Sequence, residues 1–153
     1  MKVEIRPLEI NDAYTSVNWR NDKEVFKFTG NTYSHNITLD SELSWIKEVI
    51  QRKNEFRCAI ITDKKYVGNI YLTNITDISA SYHIFIGDKT YWGKGIAKQA
   101  SKLIIDYGFN QLHLKEIHLK VHVQNKSALK LYQSLNFIPT SQNGDFIEMV
   151  LYR

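Results

Sequence analysis

Apolar positions change their spacing several times along this chain, and each spacing predicts a secondary-structure element. Alternating or continuous apolar runs predict strands, whereas apolar residues at i, i+3, i+4 and i+7 predict helices. The predicted strands are residues 2–8, 56–62, 66–74, 79–87, 116–123 and 145–152. The predicted helices are a short one from about residue 12, then 39–52 and 95–111, and one that starts at residue 125.

The order of these elements predicts a mixed α/β (α+β) domain. A turn at Asp63-Lys64-Lys65 separates two strands, so those strands are expected to form an antiparallel hairpin. The strands 79–87 and 116–123 are instead joined by a helix, and such a crossover pairs its strands in parallel. We therefore expect a single domain, residues 1–153, with a mostly antiparallel sheet that contains one parallel pair and is flanked by helices.

Composition and charge narrow the class of protein. The chain has 153 residues, 43% of them hydrophobic and 24% charged, which is typical of one globular domain. The net charge is +4, but the basic residues are scattered and form no nucleic-acid-binding motif, so we expect no nucleic-acid partner. Neither a leader nor a membrane-length apolar run is present, which predicts a cytoplasmic protein. The single cysteine, Cys58, lies in an apolar run and is expected to be buried.

A glycine-rich turn, Trp92-Gly93-Lys94-Gly95-Ile96-Ala97, follows a predicted strand and opens a predicted helix. Two glycines one residue apart allow the backbone to approach a ligand closely, and the first amides of a helix are unpaired and lie at its positive dipole end. This arrangement suits a phosphate group. On spacing alone, an ordinary tight turn is the simpler interpretation.

A second cluster follows the strand 116–123. Asn125 can cap a helix whose apolar face is formed by residues at helical spacing, and Asn136 can adopt the left-handed conformation that ends it. The face comprises Ala128, Leu131, Tyr132 and Leu135. Periodicity alone favours an ordinary packed helix with a tyrosine in the core.

Together, in this order and separation, the two clusters resemble the acetyl-CoA half of the GNAT acetyltransferase superfamily, in the branch that acetylates ribosomal proteins and small amines. The specific part of the match covers residues 79–137. Trp92 stands where that superfamily usually has glutamine or arginine, and Asn136 stands where it usually has glycine. Asparagine replaces glycine best where φ is positive, and the turn acts through backbone amides.

The resemblance implies an N-acetyltransferase that uses acetyl-CoA as co-substrate and moves its acetyl group to a primary amine by direct attack, through a tetrahedral intermediate. It also implies that the parallel strands splay apart, so that pantetheine pairs with the open edge of the fourth strand. Tyr132 is then the acid that protonates the leaving thiolate, and Asn125 a cap and cofactor contact. The cofactor-binding residues implied are Ile84, Phe85, Ile86, Trp92, Gly93, Lys94, Gly95, Ile96, Ala97, Asn125 and Tyr132.

The general base is less determined by the sequence. Many relatives carry glutamate where this chain has Ser81, which cannot act as a base alone. His83 lies two residues further, hence on the same strand face, and histidine titrates near neutrality. A histidine that merely lines the pocket is the alternative. Glu24 is a second candidate, since the first helices of the family shape the acceptor pocket, although a solvated surface residue is the simpler interpretation.

Three histidines, His113, His118 and His122, lie close in sequence, but we expect no metal site. Residues four apart on a strand are roughly 13 Å apart, at about 3.3 Å per residue, which is too far for one ion.

The acceptor is the least specified part of the prediction. The segment Trp19-Arg20-Asn21-Asp22 looks like one found in GNAT enzymes that acetylate nucleotide-linked amino sugars, which makes Trp19, Arg20, Glu24 and Ser81 the implied acceptor contacts. A protein N-terminal acetyltransferase of the ribosomal type shares the same layout. A catalytically silent acyl-CoA-binding module is the third interpretation. The sequence does not distinguish a monomer from a homodimer.

Overall fold

The computed structural model describes residues 1–28 and 36–153, which form a seven-stranded sheet with helices on both faces. The strands are β1 Val3–Pro7, β2 Phe56–Thr62, β3 Lys65–Thr73, β4 Ser79–Ile86, β5 Glu116–His122, β6 Ile138–Asn143 and β7 Phe146–Tyr152. The helices are α1 Ala13–Arg20, α2 Leu39–Val49, α3 Ile96–Asp106 and α4 Lys126–Ser134. Short 3₁₀ turns span Ile10–Asp12 and Lys89–Tyr91.

The strand order is β1-β2-β3-β4-β5-β7-β6. Every neighbouring pair is antiparallel except β4 and β5, which are parallel. This confirms the predicted mixed sheet and its parallel crossover. Strand β6 was not predicted, because every one of its residues is exposed and the segment therefore lacks an apolar alternation. It pairs only with β7 and forms one edge of the sheet.

The two faces of the sheet carry separate cores. Helices α3 and α4 cover one face, where they bury a large cluster that includes Ile70, Leu72, Ala80, Ile96, Ala100, Ile104, Ile117 and Leu119. Helices α1 and α2 cover the other face with a smaller cluster built on Leu8, Ala13, Ile46 and Ala59. Cys58 is fully buried in the larger cluster, as expected from its apolar surroundings.

Local sequence signals set the ends of α4. The Asn125 side chain accepts a hydrogen bond from the Ala128 amide at 3.2 Å, and Asn136 adopts a φ of 72° just past the helix. Both features were predicted from residue type. The helix predicted over 95–111 is α-helical only in α3, and it continues as a π turn at Tyr107–Gln111.

Candidate active site

The parallel pair β4–β5 opens into a cleft. The two strands are paired only at their first residues, where Ser79, Ala80 and Ser81 face Glu116, Ile117 and His118. Beyond that point β4 pairs with β3 alone, and β5 pairs with β7 alone. The sheet is therefore split from its middle to the C-terminal ends of both strands.

The backbone of β4 presents an open edge to this cleft. The Gly87 amide donates to the Val67 carbonyl at 2.8 Å, and hydrogen-bonded pairs alternate along an antiparallel ladder. The amides and carbonyls of Ser81, His83 and Phe85 therefore point toward β3. Those of Tyr82, Ile84 and Ile86 point the other way. The Tyr82 amide still takes part in the β5 ladder beside the Ser81–His118 pair, so the edge that is open to the cleft begins at the Tyr82 carbonyl. The resemblance implied a cofactor contact at Phe85, but its backbone belongs to the β3 ladder.

Trp92 closes the far end of that edge. Its indole Nε1–H donates to the Ile86 carbonyl at 2.8 Å, while the ring remains 41% exposed. From the sequence, Trp92 was expected to contribute only its backbone to the glycine turn. In the structure its side chain is hydrogen-bonded to Ile86, one of the outward-facing residues of the β4 edge. Spacing in the sequence could not show this contact.

The glycine turn has the conformation that its residues predicted. Gly93 and Gly95 have φ angles of 73° and 76°, and a Cβ atom added to either would meet nothing within 4 Å. Gly95 is the N-cap of α3. Within the described residues, the amides of residues 93–98 donate no hydrogen bond, and the first bond of the helix runs from Gln99 to the Gly95 carbonyl.

These free amides fit the pyrophosphate of acetyl-CoA. They form a continuous run of donors at the positive end of an eleven-residue helix, with no acidic residue in its first turn. Lys94 and Lys98 add positive charge on either side of the turn, and the Lys94 ammonium lies 5.4 Å from the Tyr91 ring centroid. The open space in front of Gly93 and Gly95 leaves room for a ligand.

Tyr132 projects from α4 toward β4. Its ring meets the edge of the Tyr82 ring with the centroids 5.7 Å apart, and the residue is 8% exposed. The Tyr132 hydroxyl makes no hydrogen bond to any described residue. Burial raises its pKa to about 12, so the phenol stays protonated throughout the physiological range. It is therefore a proton donor in its resting state.

The opposite face of β4 carries Ser81 and His83, side by side as predicted. The His83 Nε2 lies 3.0 Å from the Thr73 hydroxyl on β3. His83 is partly accessible to solvent, but the protein around its ring lowers the pKa of the imidazole below the usual value of 6.5, and the Arg57 charge acts in the same direction. His83 is thus a neutral imidazole near pH 7, able to accept a proton.

Arg20 ends α1 on the same side of the sheet. Its guanidinium lies 4.9 Å from the Trp45 ring centroid and 5.8 Å from that of Phe26. The buried Glu42 carboxylate is its ion-pair partner, at the long distance of 3.9 Å, and Ser16 donates to the other oxygen of that carboxylate. Arg20 makes no hydrogen bond within residues 1–28 and 36–153, so its planar donor group is held between rings and still open to a ligand.

Two of the implied acceptor contacts have other roles in the structure. Trp19 is 7% exposed, packs 4.6 Å from Tyr66 between ring centroids, and would collide with a side chain at Gly87. Glu24 pairs with Lys89 at 3.1 Å, as does Asp22 at 2.9 Å. Trp19 is therefore a packing residue in this structure. Glu24 is an ion-pair partner of Lys89, in the turn that precedes the glycine residues.

The acceptor side also has an aromatic wall that the sequence did not predict. Phe26 packs on Phe85 of β4, with ring centroids 5.1 Å apart, and Phe28 packs on His122 of β5 at 5.3 Å. The segment after α1 therefore contacts both splayed strands. His122 accepts a hydrogen bond on Nδ1 from the Gln124 amide, so its neutral form carries the proton on Nε2.

The described part of the chain contains no group of three or more histidine, cysteine or acidic side chains placed to hold a metal ion. Within the same residues, no helix is both long and apolar enough to cross a membrane.

A split parallel pair, free amides at a glycine turn and a neutral tyrosine facing the open strand define an acyl-CoA-dependent transferase. Residues 2–138 match the family of the acetyltransferase (GNAT) domain. The chain therefore belongs to the GNAT acetyltransferase family, and it is an acetyl-CoA-dependent N-acetyltransferase.

Relatives and solved structures agree with this assignment. Spermidine N(1)-acetyltransferase of Escherichia coli K12 is 30% identical over 138 residues, covering 88% of this chain and 72% of the relative. The spermidine N-acetyltransferase of Vibrio cholerae, solved with CoA and spermine, superimposes with a TM-score of 0.88 at 25% identity, covering 98% and 95% of the chains. The N-acetyltransferase PseH of Campylobacter jejuni, solved with acetyl coenzyme A, shares the fold at a TM-score of 0.77 and 21% identity over 99% of both chains.

The glycine turn provides a test of cofactor placement. Replacing Gly95 with valine forces a β-branched residue into a φ of 76°, so the turn distorts and acetyl-CoA binding weakens by at least tenfold in calorimetry. Gly144→Val is the matched control, because Gly144 has a φ of 61° in open space at the β6–β7 turn. The placement is wrong if a folded Gly95→Val protein binds acetyl-CoA as well as Gly144→Val does.

Proposed function

We propose that the protein acetylates the primary amine of a small molecule that also carries an anionic group, such as a nucleotide-linked amino sugar. The observation that carries this proposal is Arg20, a guanidinium placed beside the Trp45 and Phe26 rings that donates no hydrogen bond to any residue within 1–28 and 36–153. Planar guanidinium groups pair with phosphate or carboxylate through two parallel hydrogen bonds. Arg20 lies on the sheet face that also carries His83.

On the cofactor side, the amides of residues 93–98 hold the pyrophosphate, and the open edge at Tyr82 and Ile84 accepts pantetheine as an added strand would pair. The side-chain oxygen of Asn125 accepts the hydrogen bond of the helix cap, so its side-chain NH₂ group is the part that contacts the cofactor. Bound acetyl-CoA supplies an activated thioester. The Ile84 amide, which points into the cleft, is the donor for the thioester oxygen as negative charge develops there.

On the acceptor side, proton transfer is divided between two residues. His83 is neutral near pH 7 and takes the proton from the attacking amine, directly or through water. The Tyr132 hydroxyl then donates to the departing thiolate. The raised pKa of Tyr132 reduces the driving force for this donation but guarantees that the proton is present. The two groups lie on opposite faces of β4, so they act on opposite sides of the acetyl group.

Carboxylates near α1 and α2 support an anionic rather than a polycationic acceptor. A polyamine needs carboxylates that are free to pair with its ammonium groups. Four carboxylates in this region already have cationic partners: Asp22 and Glu24 on Lys89, Glu42 on Arg20, and Glu55 on Arg57. Arg20 also has an ion-pair partner, Glu42 at 3.9 Å, but its guanidinium donates no hydrogen bond to any described residue.

A polyamine acceptor is the second candidate, and the similarity to spermidine acetyltransferases favours it. The identity of 30% extends over 88% of this chain, so the acceptor half is included in the match. A peptide N-terminus and a silent acyl-CoA-binding module are the remaining alternatives. Parallel turnover assays with a UDP-linked amino sugar, spermidine and a short peptide distinguish all four, because a silent module turns over none of them.

Removing the Tyr132 hydroxyl tests the acid. We expect Tyr132→Phe to reduce turnover by about a hundredfold, the usual scale for losing a general acid, while acetyl-CoA affinity changes little. Stopped-flow assays in single turnover isolate the chemical step. Tyr107→Phe is the control, since the Tyr107 ring stacks on Phe56 of β2, and β3 separates that strand from β4. Undiminished chemistry in Tyr132→Phe would exclude this residue as the acid.

The pH dependence tests His83. Rate rises with pH as a general base loses its proton, and the pKa of His83 is lowered, so the ascending limb of kcat/KM should have its midpoint below 6.5. His83→Gln should lose about a hundredfold in turnover together with that limb. The base assignment is refuted if the variant keeps near-normal turnover and the same limb, in which case water removes the proton.

The conservative change Arg20→Lys tests the acceptor class. Lysine keeps the charge beside Glu42 but loses the planar pair of donors, so the KM for the UDP-linked amino sugar should rise about tenfold or more. The KM for acetyl-CoA should not change. Arg52→Lys, at an exposed ion pair with Glu48, is the control. If the protein turns over spermidine efficiently and does not turn over the sugar, the acceptor is a polyamine and not an anionic amine.

A further inference from the structure

Tyr82 is buried at the point where the parallel pair separates. It follows Ser81, the last residue of β4 that pairs with β5, and it is 2% exposed. Its carbonyl begins the open edge, whereas its side chain enters the core beneath α3. A phenol at this position needs a polar partner, because an unpaired buried hydroxyl costs free energy that a phenylalanine would avoid.

That partner is Ser101 of α3, which is fully buried. The Tyr82 and Ser101 hydroxyl oxygens are 2.5 Å apart, and Ser101 donates to the Ala97 carbonyl at 2.6 Å. A serine hydroxyl has one hydrogen, so Tyr82 is the donor to Ser101. Burial raises the pKa of Tyr82 well above 10, which keeps this hydrogen in place.

The chain of hydrogen bonds therefore joins two parts of the cofactor site. One end is the open edge of β4, and the other is Ala97, whose amide belongs to the free run in the glycine turn. Packing of apolar side chains tolerates small shifts of a helix across a sheet, but a buried, fully paired hydrogen-bond chain fixes one position.

We propose that Tyr82 is a positioning residue, which sets the spacing between the amides at the start of α3 and the open edge of β4. A ligand that contacts both, as CoA does, binds well only at the correct spacing. A ligand that contacts the amides alone is indifferent to it. The proposal rests on the placement of CoA proposed above.

The experiment compares two ligands in Tyr82→Phe by calorimetry. CoA contacts both parts of the site, whereas 3′-phosphoadenosine 5′-diphosphate has the pyrophosphate but no pantetheine. We expect CoA to bind about threefold to tenfold more weakly, the scale of one net hydrogen bond, and the nucleotide to bind within twofold of the original protein. Equal losses for both ligands, or no loss for CoA, overturn the proposal.

Ser101→Ala breaks the same chain from the helix side. It should reproduce the selective loss of CoA affinity, and the double variant should be no weaker than the worse single variant, because both remove one interaction. If the losses of CoA affinity in the two single variants add in the double variant, the proposal is wrong. If Tyr82→Phe does not fold, the comparison of the two ligands in Ser101→Ala tests the proposal by itself. Tyr107→Phe is the control for loss of a tyrosine hydroxyl. A failed placement of CoA is distinguishable, since Gly95→Val would then leave the affinity for both ligands intact.

Discussion

The structure depends on one interruption: β4 and β5 stop pairing after three residues, although both continue in the sheet. An interior strand normally pairs on both sides, because unpaired backbone groups away from water cost free energy. Here the Tyr82 carbonyl and the amide and carbonyl of Ile84 have no strand partner. The glycine turn, α3 and α4 are all arranged around that opening, and in the proposed function the cofactor completes the sheet there.

The alternation of a strand divides the chemistry. Side chains of even-numbered β4 residues such as Tyr82 face α3 and α4, and those of odd-numbered residues such as His83 face α1 and α2. The proposed acid, Tyr132, is therefore on one face and the proposed base, His83, is on the other, with the open strand edge between them. In this proposal a single strand separates proton donation from proton removal.

Features encoded by neighbouring residues could be predicted from the sequence. The positive φ angles at Gly93, Gly95 and Asn136, the Asn125 cap and the parallel crossover follow from residue types at short range. Strand β6 could not be predicted, since no apolar periodicity marks an exposed edge strand.

Contacts between side chains distant in sequence could not be predicted either. The Tyr82–Ser101 hydrogen bond joins residues 19 positions apart, and Lys89 pairs with Asp22 and Glu24, which precede it by 67 and 65 positions. The free donors of Arg20 depend on how α1 packs against α2. Such contacts are decided by tertiary packing, and the sequence offered only candidate residue types for them.

The Trp92 indole also affects the protein when no cofactor is bound. An open strand edge is a surface on which a strand from another molecule can pair, and such pairing leads to aggregation. Because the Trp92 indole occupies the Ile86 carbonyl, the backbone acceptors left along the open edge of β4 are the carbonyls of Tyr82 and Ile84. The side chain that borders the cleft thus also reduces the length of edge on which a strand from another molecule can pair.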